Sequence, residues 1–288
     1  MNNNFLKSKK NYSAFSLIEL SIVILIVGIL VAGVTQSSRL INQMRLMSAR
    51  SITLSSPVPS VKNLIAWYES VGEKSFNEGE MSSGSLLSNW FDSNIQSSSK
   101  INGFQTVDVN KPQYAIDDST KLPVAKFTNQ DFFYLPDGTI PFNNTPYTIF
   151  FVSQTYAYCA CGLLGSGDYG VGQGANAFRY DGSTSIVNYW WGNDIYLTNS
   201  VTIQKMTIHT FVYNLTNRYG FTDGVLKASD AATNRVSTAN NNTIGKTFNT
   251  EFMNGIIGEI IIFDRALNQE ERKSIESYLG KKWSIKVS

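Results

Sequence analysis

The sequence predicts a mainly β protein, preceded by one long apolar helix and closed by one short amphipathic helix. Three observations predict it. From Val61 onward, short apolar or alternating runs recur with Gly-, Asn- and Asp-containing turns between them. Ahead of them, Ala14 to Val34 form an apolar run of membrane-spanning length. Near the C-terminus, apolar residues repeat at helical spacing behind a capping pattern.

Composition narrows the function. The net charge of +2 argues against nucleic acid as the main partner, because phosphate binding needs a concentrated basic face. There are two cysteines, Cys159 and Cys161, and one histidine, His209. A Cys/His zinc site is therefore excluded, and histidine-based catalysis has almost nothing to work with.

The first element is the apolar run. Lys7, Lys9 and Lys10 precede it, and Glu19 is its single charged residue. At ~1.5 Å per residue, about 20 helical residues span the ~30 Å hydrocarbon core. Basic residues before the run place the N-terminus inside and everything after Val34 outside. A secretory signal peptide would be shorter and end at a small-residue cleavage site, which the continuation Thr35-Gln-Ser-Ser-Arg39 does not supply. A plain single-pass anchor is compatible with hydropathy alone. Glu19 counts against it, because an ionisable group costs on the order of 2–3 kcal/mol at the centre of a span and such groups are usually functional.

Basic residues followed by Ala14-Phe15-Ser-Leu-Ile-Glu19-Leu20 resemble the processing motif of type IV pilins and of type II secretion pseudopilins. The resemblance implies a leader, residues 1–14, cut off by a prepilin peptidase between Ala14 and Phe15. It implies methylation of the new Phe15 amino group, and a Glu19 carboxylate that neutralises the Phe15 amino group of a neighbouring subunit. Two opposite charges in an apolar core cost less as a pair than alone. The family usually has Gly before the cut; Ala14 is small enough to replace it, with slower cleavage. Other pilin subunits, the peptidase and a bacterial inner membrane are the implied partners. The C-terminal domain would lie outside the cytoplasm, in a pilus or pseudopilus after assembly.

The helix is expected over 15–56, with the membrane span at 15–34. Leu40, Met44 and Met47 continue an apolar stripe. Gly28 and Ala32 form a small-xxx-small pair, read either as a packing face or as ordinary tolerance of Gly in membrane helices. Pro57 and Pro59 end the helix, and 57–60 reads as a linker.

The remainder, 61–288, is one large domain. Strands are expected at Leu64–Tyr68, Val124–Phe127, Tyr147–Val152, Val201–Ile203, Thr207–Tyr213, Tyr219–Phe221, around Ile244 and at Gly258–Phe263. Asp223-Gly224 signals a hairpin into Val225-Leu226. Asn268 is an N-cap with Glu271 three residues on; Ile275, Tyr278 and Leu279 share a face; Gly280 is the expected stop, and Trp283 should pack back on the sandwich. Leu64-Ile-Ala-Trp-Tyr-Glu-Ser70 with Trp90-Phe-Asp-Ser93, Leu122-Pro-Val-Ala-Lys-Phe127 with Tyr147–Val152, and Gly258–Trp283 resemble the laminin-G-like members of the concanavalin A-like jelly rolls. The resemblance implies a two-sheet β-sandwich that binds glycans or proteins, in some members with calcium.

No catalytic constellation stands out. Asp117-Asp118 and Glu270-Glu271 are adjacent, so on a strand they would face opposite ways, whereas glycoside hydrolysis needs two convergent carboxylates. His209 falls inside an expected strand. Cys159 and Cys161 would lie ~6.5 Å apart on an extended strand, near the upper limit for a disulfide, and both a local disulfide and two free thiols fit. Asp131, Asp137, Asp168, Asp181, Asn193, Asp194 and Asp223 sit in expected loops of the kind that can ligate calcium, but no spacing assigns a site. The most suggestive surface stretch is Tyr189-Trp190-Trp191-Gly-Asn193-Asp194, where exposed aromatics beside amides and a carboxylate suit stacking on sugar rings. Alternation would send one of the two tryptophans into the core. The expected function is a minor pilin or pseudopilin displaying an adhesive jelly roll, with no enzymatic role. A secretion or DNA-uptake pseudopilin contacting cargo is the alternative, and a surface carbohydrate-active enzyme is disfavoured by the missing carboxylate pair.

Overall fold

The computed structural model describes residues 17–128, 130–232 and 235–288, without the side chains of residues 19, 32, 34–36 and 38. The expected processing site, Ala14 and Phe15, and the Glu19 carboxylate lie outside the described residues. The chain divides into two compact units, Met1–Met44 and Arg45–Ser288.

Helix α1 runs Leu17–Leu54. Its described side chains from Leu20 to Val31 are exposed. Among the described residues no helix is long and apolar enough to cross a membrane; the expected span, 15–34, lies partly outside the described residues and side chains. In the second unit, Ala49 is buried and Leu46 and Ile52 pack against the domain core. The Arg50 guanidinium donates to the Val71 carbonyl and to Glu73, both at 2.8 Å. These contacts place the start of the compact domain upstream of the linker expected at 57–60. That segment is itself built in: Val58–Ser60 form a 3-10 turn with Val58 fully buried.

Two large antiparallel sheets make the domain. In spatial order the first runs Val225–Ala231, Asn217–Thr222, Thr207–Tyr213, Tyr147–Thr155, Gly255–Phe263, Pro123–Phe127 and Gln113–Ile116, with Leu64–Glu69 pairing the second half of Gly255–Phe263. The second runs Ile195–Leu197, Ile186–Tyr189, Ala177–Asp181, Ala160–Gly165, Thr243–Ile244, Phe133–Tyr134, Gly103–Phe104 and Asn89–Trp90. A small two-stranded piece pairs Lys246–Thr247 with Glu251–Phe252. The expected strand Val201–Ile203 is a loop; Val201 is buried and its amide donates to the Thr184 carbonyl oxygen at 2.9 Å.

The central strands of the first sheet, Tyr147–Thr155, Thr207–Tyr213 and Gly255–Phe263, are buried on both faces, and the period-two pleat divides their side chains. Ile149 and Phe151 face the second sheet and join the inter-sheet core with Phe178, Phe211 and Ile260. Phe150 and Val152 face the other way, into an outer core with Ile208, Ile261, Phe263 and helix α2, Gln269–Trp283. Asn268 caps α2 in a full capping box with Glu271, as the pattern predicts. Gly280 does not stop the helix, which continues to Trp283 with Ser284 as its left-handed cap. The physical reason is close approach: a Cβ at 280 would lie 2.6 Å from Val287 Cγ2 and 2.7 Å from the Ile285 carbonyl oxygen of the returning tail. The extra turn carries Lys282 and Trp283 onto the sheet. There Trp283 covers Gly258, whose Cβ would lie 2.5 Å from the indole, beside a register shift between Ile257 and Glu259.

His209 lies in the strand Thr207–Tyr213, fully buried, with Nε2 3.1 Å from the Ser200 carbonyl oxygen. Burial drives its pKa down to about 4, against an ordinary value near ~6.5. The unfolded chain therefore binds the extra proton first. The stability this neutral imidazole contributes is complete above about 6.5 and is lost as pH falls through about 4. Relative to His209→Gln, the wild type is expected to lose about 3 kcal/mol more stability between pH 7 and 4, read from denaturant midpoints. Parallel pH profiles for the two proteins would contradict this.

Candidate functional site

The outer face of the second sheet carries the site. Across neighbouring strands, Phe104 pairs with Tyr134, Tyr134 with Thr243, and Thr243 with Gly165. Phe133 and Ile244 point into the inter-sheet core, so the pleat sends Tyr134 and Thr243 outward. A second row sets Gly162 opposite Arg179, and Arg179 opposite Val187. Gly162 and Gly165 leave a bare strip on the strand Ala160–Gly165. The hairpin Lys246–Phe252 lies on that strip: a Cβ at 162 would sit 2.5 Å from the Lys246 carbonyl carbon and 2.7 Å from the Glu251 carbonyl oxygen. The hairpin is tied to the sheet by an ion pair between Arg179 and Glu251, while Glu251 Oε2 accepts from the Thr247 hydroxyl at 2.7 Å.

Beside the hairpin opens a cleft of about 210 Å³. Tyr134 and Thr243 come from the sheet, Lys246, Phe248 and Asn249 from the hairpin, Asp168, Tyr169 and Gly170 from a loop, and Asn241 from the segment before Thr243. Tyr134 is 45% exposed and Phe248 36%. Tyr169 is buried beneath Phe248, ring centroids 5.5 Å apart, and burial raises its phenol pKa above the ordinary range. Asp168 Oδ1 accepts from the Gly170 amide at 2.9 Å. Asn241 donates to the Gly167 carbonyl oxygen at 3.0 Å. The result is apolar ring surface bordered by amides, a hydroxyl, a carboxylate and an ammonium. Such a surface is chemically able to stack on one face of a sugar ring and to hydrogen-bond its hydroxyls.

The aromatic stretch expected from sequence divides between roles. Trp190 is fully buried in the inter-sheet core, edge-on to Tyr213 at 5.0 Å and under the Arg218 guanidinium at 4.0 Å. It does not reach the surface. Asn193 accepts from Arg218 through its carbonyl oxygen (2.8 Å) and Oδ1 (3.1 Å), and Asp194 Oδ1 accepts from the Trp190 amide at 2.7 Å. Both thus hold the turn. Tyr189 and Trp191 are half-buried on the outer side, ring centroids 5.5 Å apart, and Trp191 lies 5.5 Å from Phe248. They support the Phe248 wall rather than line the cleft. Trp191 (φ 64°) and Phe248 (φ 46°) both adopt left-handed backbone. For bulky side chains that conformation costs roughly 1–2 kcal/mol, and such outliers cluster at ligand sites.

Three of the loop carboxylates weighed for calcium accept local hydrogen bonds instead. Asp131 accepts from the Thr128 amide at 2.7 Å, Asp181 from the Ser183 amide at 2.9 Å, and Asp223 from the Ile208 amide at 2.9 Å. Among the described residues no three His, Cys, Asp or Glu side chains converge to hold a metal. Cys159 and Cys161 form a disulfide; the bend over residues 156–159 brings their Cα atoms to 5.2 Å. Sequence reasoning missed Tyr134, Lys246, Phe248 and Asn249. The available signal was the pair of strand glycines, 162 and 165, which marks a close backbone approach.

Residues 127–271 match the model of the concanavalin A-like lectin/glucanases superfamily, laminin-G type. The chain belongs to this superfamily. Residues 9–35 match the prokaryotic N-terminal methylation motif, the type IV pilin signal, which implies membrane-anchored, surface-displayed assembly with other pilins after processing by a prepilin peptidase. No curated protein matches the chain in sequence. Among solved structures, a variant of a GH54 α-L-arabinofuranosidase superposes with TM-score 0.53 at 9% identity, over 69% of this chain and 51% of that one. Domain 4 of the GH43 extracellular arabinanase AbnA from Geobacillus stearothermophilus, in complex with arabinotriose, gives 0.45 at 16% identity, over 75% and 98%. A Trypanosoma rangeli sialidase gives 0.47 at 12% identity, over 83% and 38%. The likeness concerns the fold alone. The chain spans about half of the arabinofuranosidase and under half of the sialidase.

Proposed function

We propose that this superfamily member is a pilin-like structural subunit that displays its sandwich to bind saccharide. It is cut before Phe15, methylated there and assembled through its N-terminal helix, with Glu19 paired to a neighbour's Phe15 amino group. The size of the 61–288 domain favours a minor or tip position over a densely packed major one. The observation that carries the reading is the outward cleft, with Tyr134 and Phe248 as ring surfaces and Asp168, Asn241, Thr243 and Asn249 as hydrogen-bonding groups. Binding without hydrolysis is the favoured role, since Asp168 is the one carboxylate lining the cleft among the described residues and glycoside hydrolysis uses two.

The full chain, purified in detergent, is expected to bind members of a glycan array. Tyr134→Ala should weaken that binding by about tenfold or more, the loss of one stacking ring at about 1–2 kcal/mol. A protein that binds no saccharide, or a Tyr134→Ala variant that binds as well as wild type, would defeat the reading of the cleft. The anchor is tested separately by mass spectrometry of the mature protein, whose first residue should be N-methylated Phe15.

A further inference from the structure

Lys246 lines the cleft, with its ammonium 4.5 Å from the centroid of the Phe132 ring and 5.6 Å from that of Phe252. It is half-buried. Lysine ion pairs among the described residues are made by Lys111, Lys121 and Lys282, and Lys246 has none. Arg179, on the same face, is already paired with Glu251 and lies over Tyr189. Burial lowers the Lys246 pKa, and no acidic side chain offsets that effect. Two aromatic faces are a weak substitute for lost water, worth about 0.5–2 kcal/mol. A partly desolvated cation opening on a cleft, without a carboxylate of its own, is satisfied by an anion that the ligand brings.

The geometry points to an acidic saccharide as the ligand, its ring on Tyr134 and its carboxylate on the Lys246 ammonium. This rests on the cleft being the saccharide site proposed above. Asp168 borders the same cleft and repels a second acid there, so it orients the sugar with hydroxyls toward Asp168 and carboxylate toward Lys246. A neutral sugar would leave Lys246 without its counter-charge.

The test uses the full chain in detergent on an array of uronic- and sialic-acid oligosaccharides, each printed beside its carboxyl methyl ester. The free acids are expected to bind about tenfold tighter than their esters, with the difference shrinking as salt rises. Lys246→Met, which keeps an unbranched apolar stem between Phe132 and Phe252, should abolish the preference. Lys246→Arg should retain most of it. Esters that bind as well as acids, or a preference that survives Lys246→Met, would overturn the acidic-ligand inference while leaving the saccharide site standing. Absence of binding to every printed saccharide would overturn both.

Discussion

Glu259→Ala is expected to destabilise the domain by about 4 kcal/mol or more, a large part of the ~5–15 kcal/mol that holds a typical domain folded. Glu259 is fully buried on the outer face of the first sheet. Its carboxylate accepts from the indoles of Trp67 (2.7 Å) and Trp283 (2.9 Å) and from the Tyr278 hydroxyl (2.7 Å), and pairs with the Lys282 ammonium at 2.9 Å. Lys282 is also buried and bridges to Glu69 at 3.2 Å. Glu69 in turn accepts from the Ser75 hydroxyl and from the amides of Val71 and Gly72. Truncation at 259 therefore strands several buried donors at once, and each unmade bond costs about 1–3 kcal/mol. It also opens a cavity beneath α2. Glu259→Gln keeps the shape and an acceptor but removes the charge, so it should fall between Ala and wild type. Tryptophan fluorescence is a direct probe in denaturant melts, because Trp67 and Trp283 both touch the carboxylate. A Glu259→Ala protein within 1 kcal/mol of wild type would show that this network contributes little.

That network explains which parts of the fold were legible beforehand. Glu259, Tyr278, Lys282 and Trp283 belong to the Gly258–Trp283 stretch that carried the family resemblance, and they make one contact set between strand and helix. The strands Tyr147–Thr155 and Thr207–Tyr213 were legible because continuous β-branched and aromatic runs have few alternatives to a doubly buried strand. The Asp223-Gly224 turn was legible because both residues take positive φ, 49° and 82°, as a tight hairpin turn demands. In the second sheet only the strand around Ile244 was legible. Ala160–Gly165 and Ala177–Asp181 mix glycine, cysteine and charge, since one of their faces is covered by a hairpin rather than by a uniform apolar layer. Alternation showed that one of Trp190 and Trp191 must turn inward, but the choice depends on register. Asn188 faces the core, hydrogen-bonded to the Tyr147 hydroxyl at 2.5 Å, and the chain then leaves the strand through left-handed Trp191. The cleft was least legible, because Tyr134, Asp168 and Asn241–Asn249 are remote in sequence and meet only through strand order.

Gly162→Ala is expected to reduce saccharide binding by at least tenfold while leaving the sandwich folded. The added methyl would point outward from the strand Ala160–Gly165, away from Leu164 and Phe178 in the inter-sheet core. It would meet main-chain atoms of the hairpin, at Lys246, Thr247 and Glu251. Main-chain atoms cannot rotate aside as the end of a side chain can, so the hairpin must lift from the sheet. Lys246, Phe248 and Asn249 would move with it, and three of the cleft's lining residues would leave their places. A 1 Å displacement of positioning groups is enough for losses of this order, whereas overpacking confined to one outer contact costs stability about 1–3 kcal/mol. Gly165→Ala is the internal comparison. Its Cβ would meet the Lys246 carbonyl oxygen at 2.6 Å but also the Tyr169 hydroxyl at 2.7 Å and the Thr243 hydroxyl at 2.9 Å, and the last two are side-chain ends that can yield. The loss at 165 should therefore be the smaller. Equal binding by Gly162→Ala and wild type, with the melting transition unchanged, would mean that the hairpin does not form the site and that the bare strip of strand serves only to pack it.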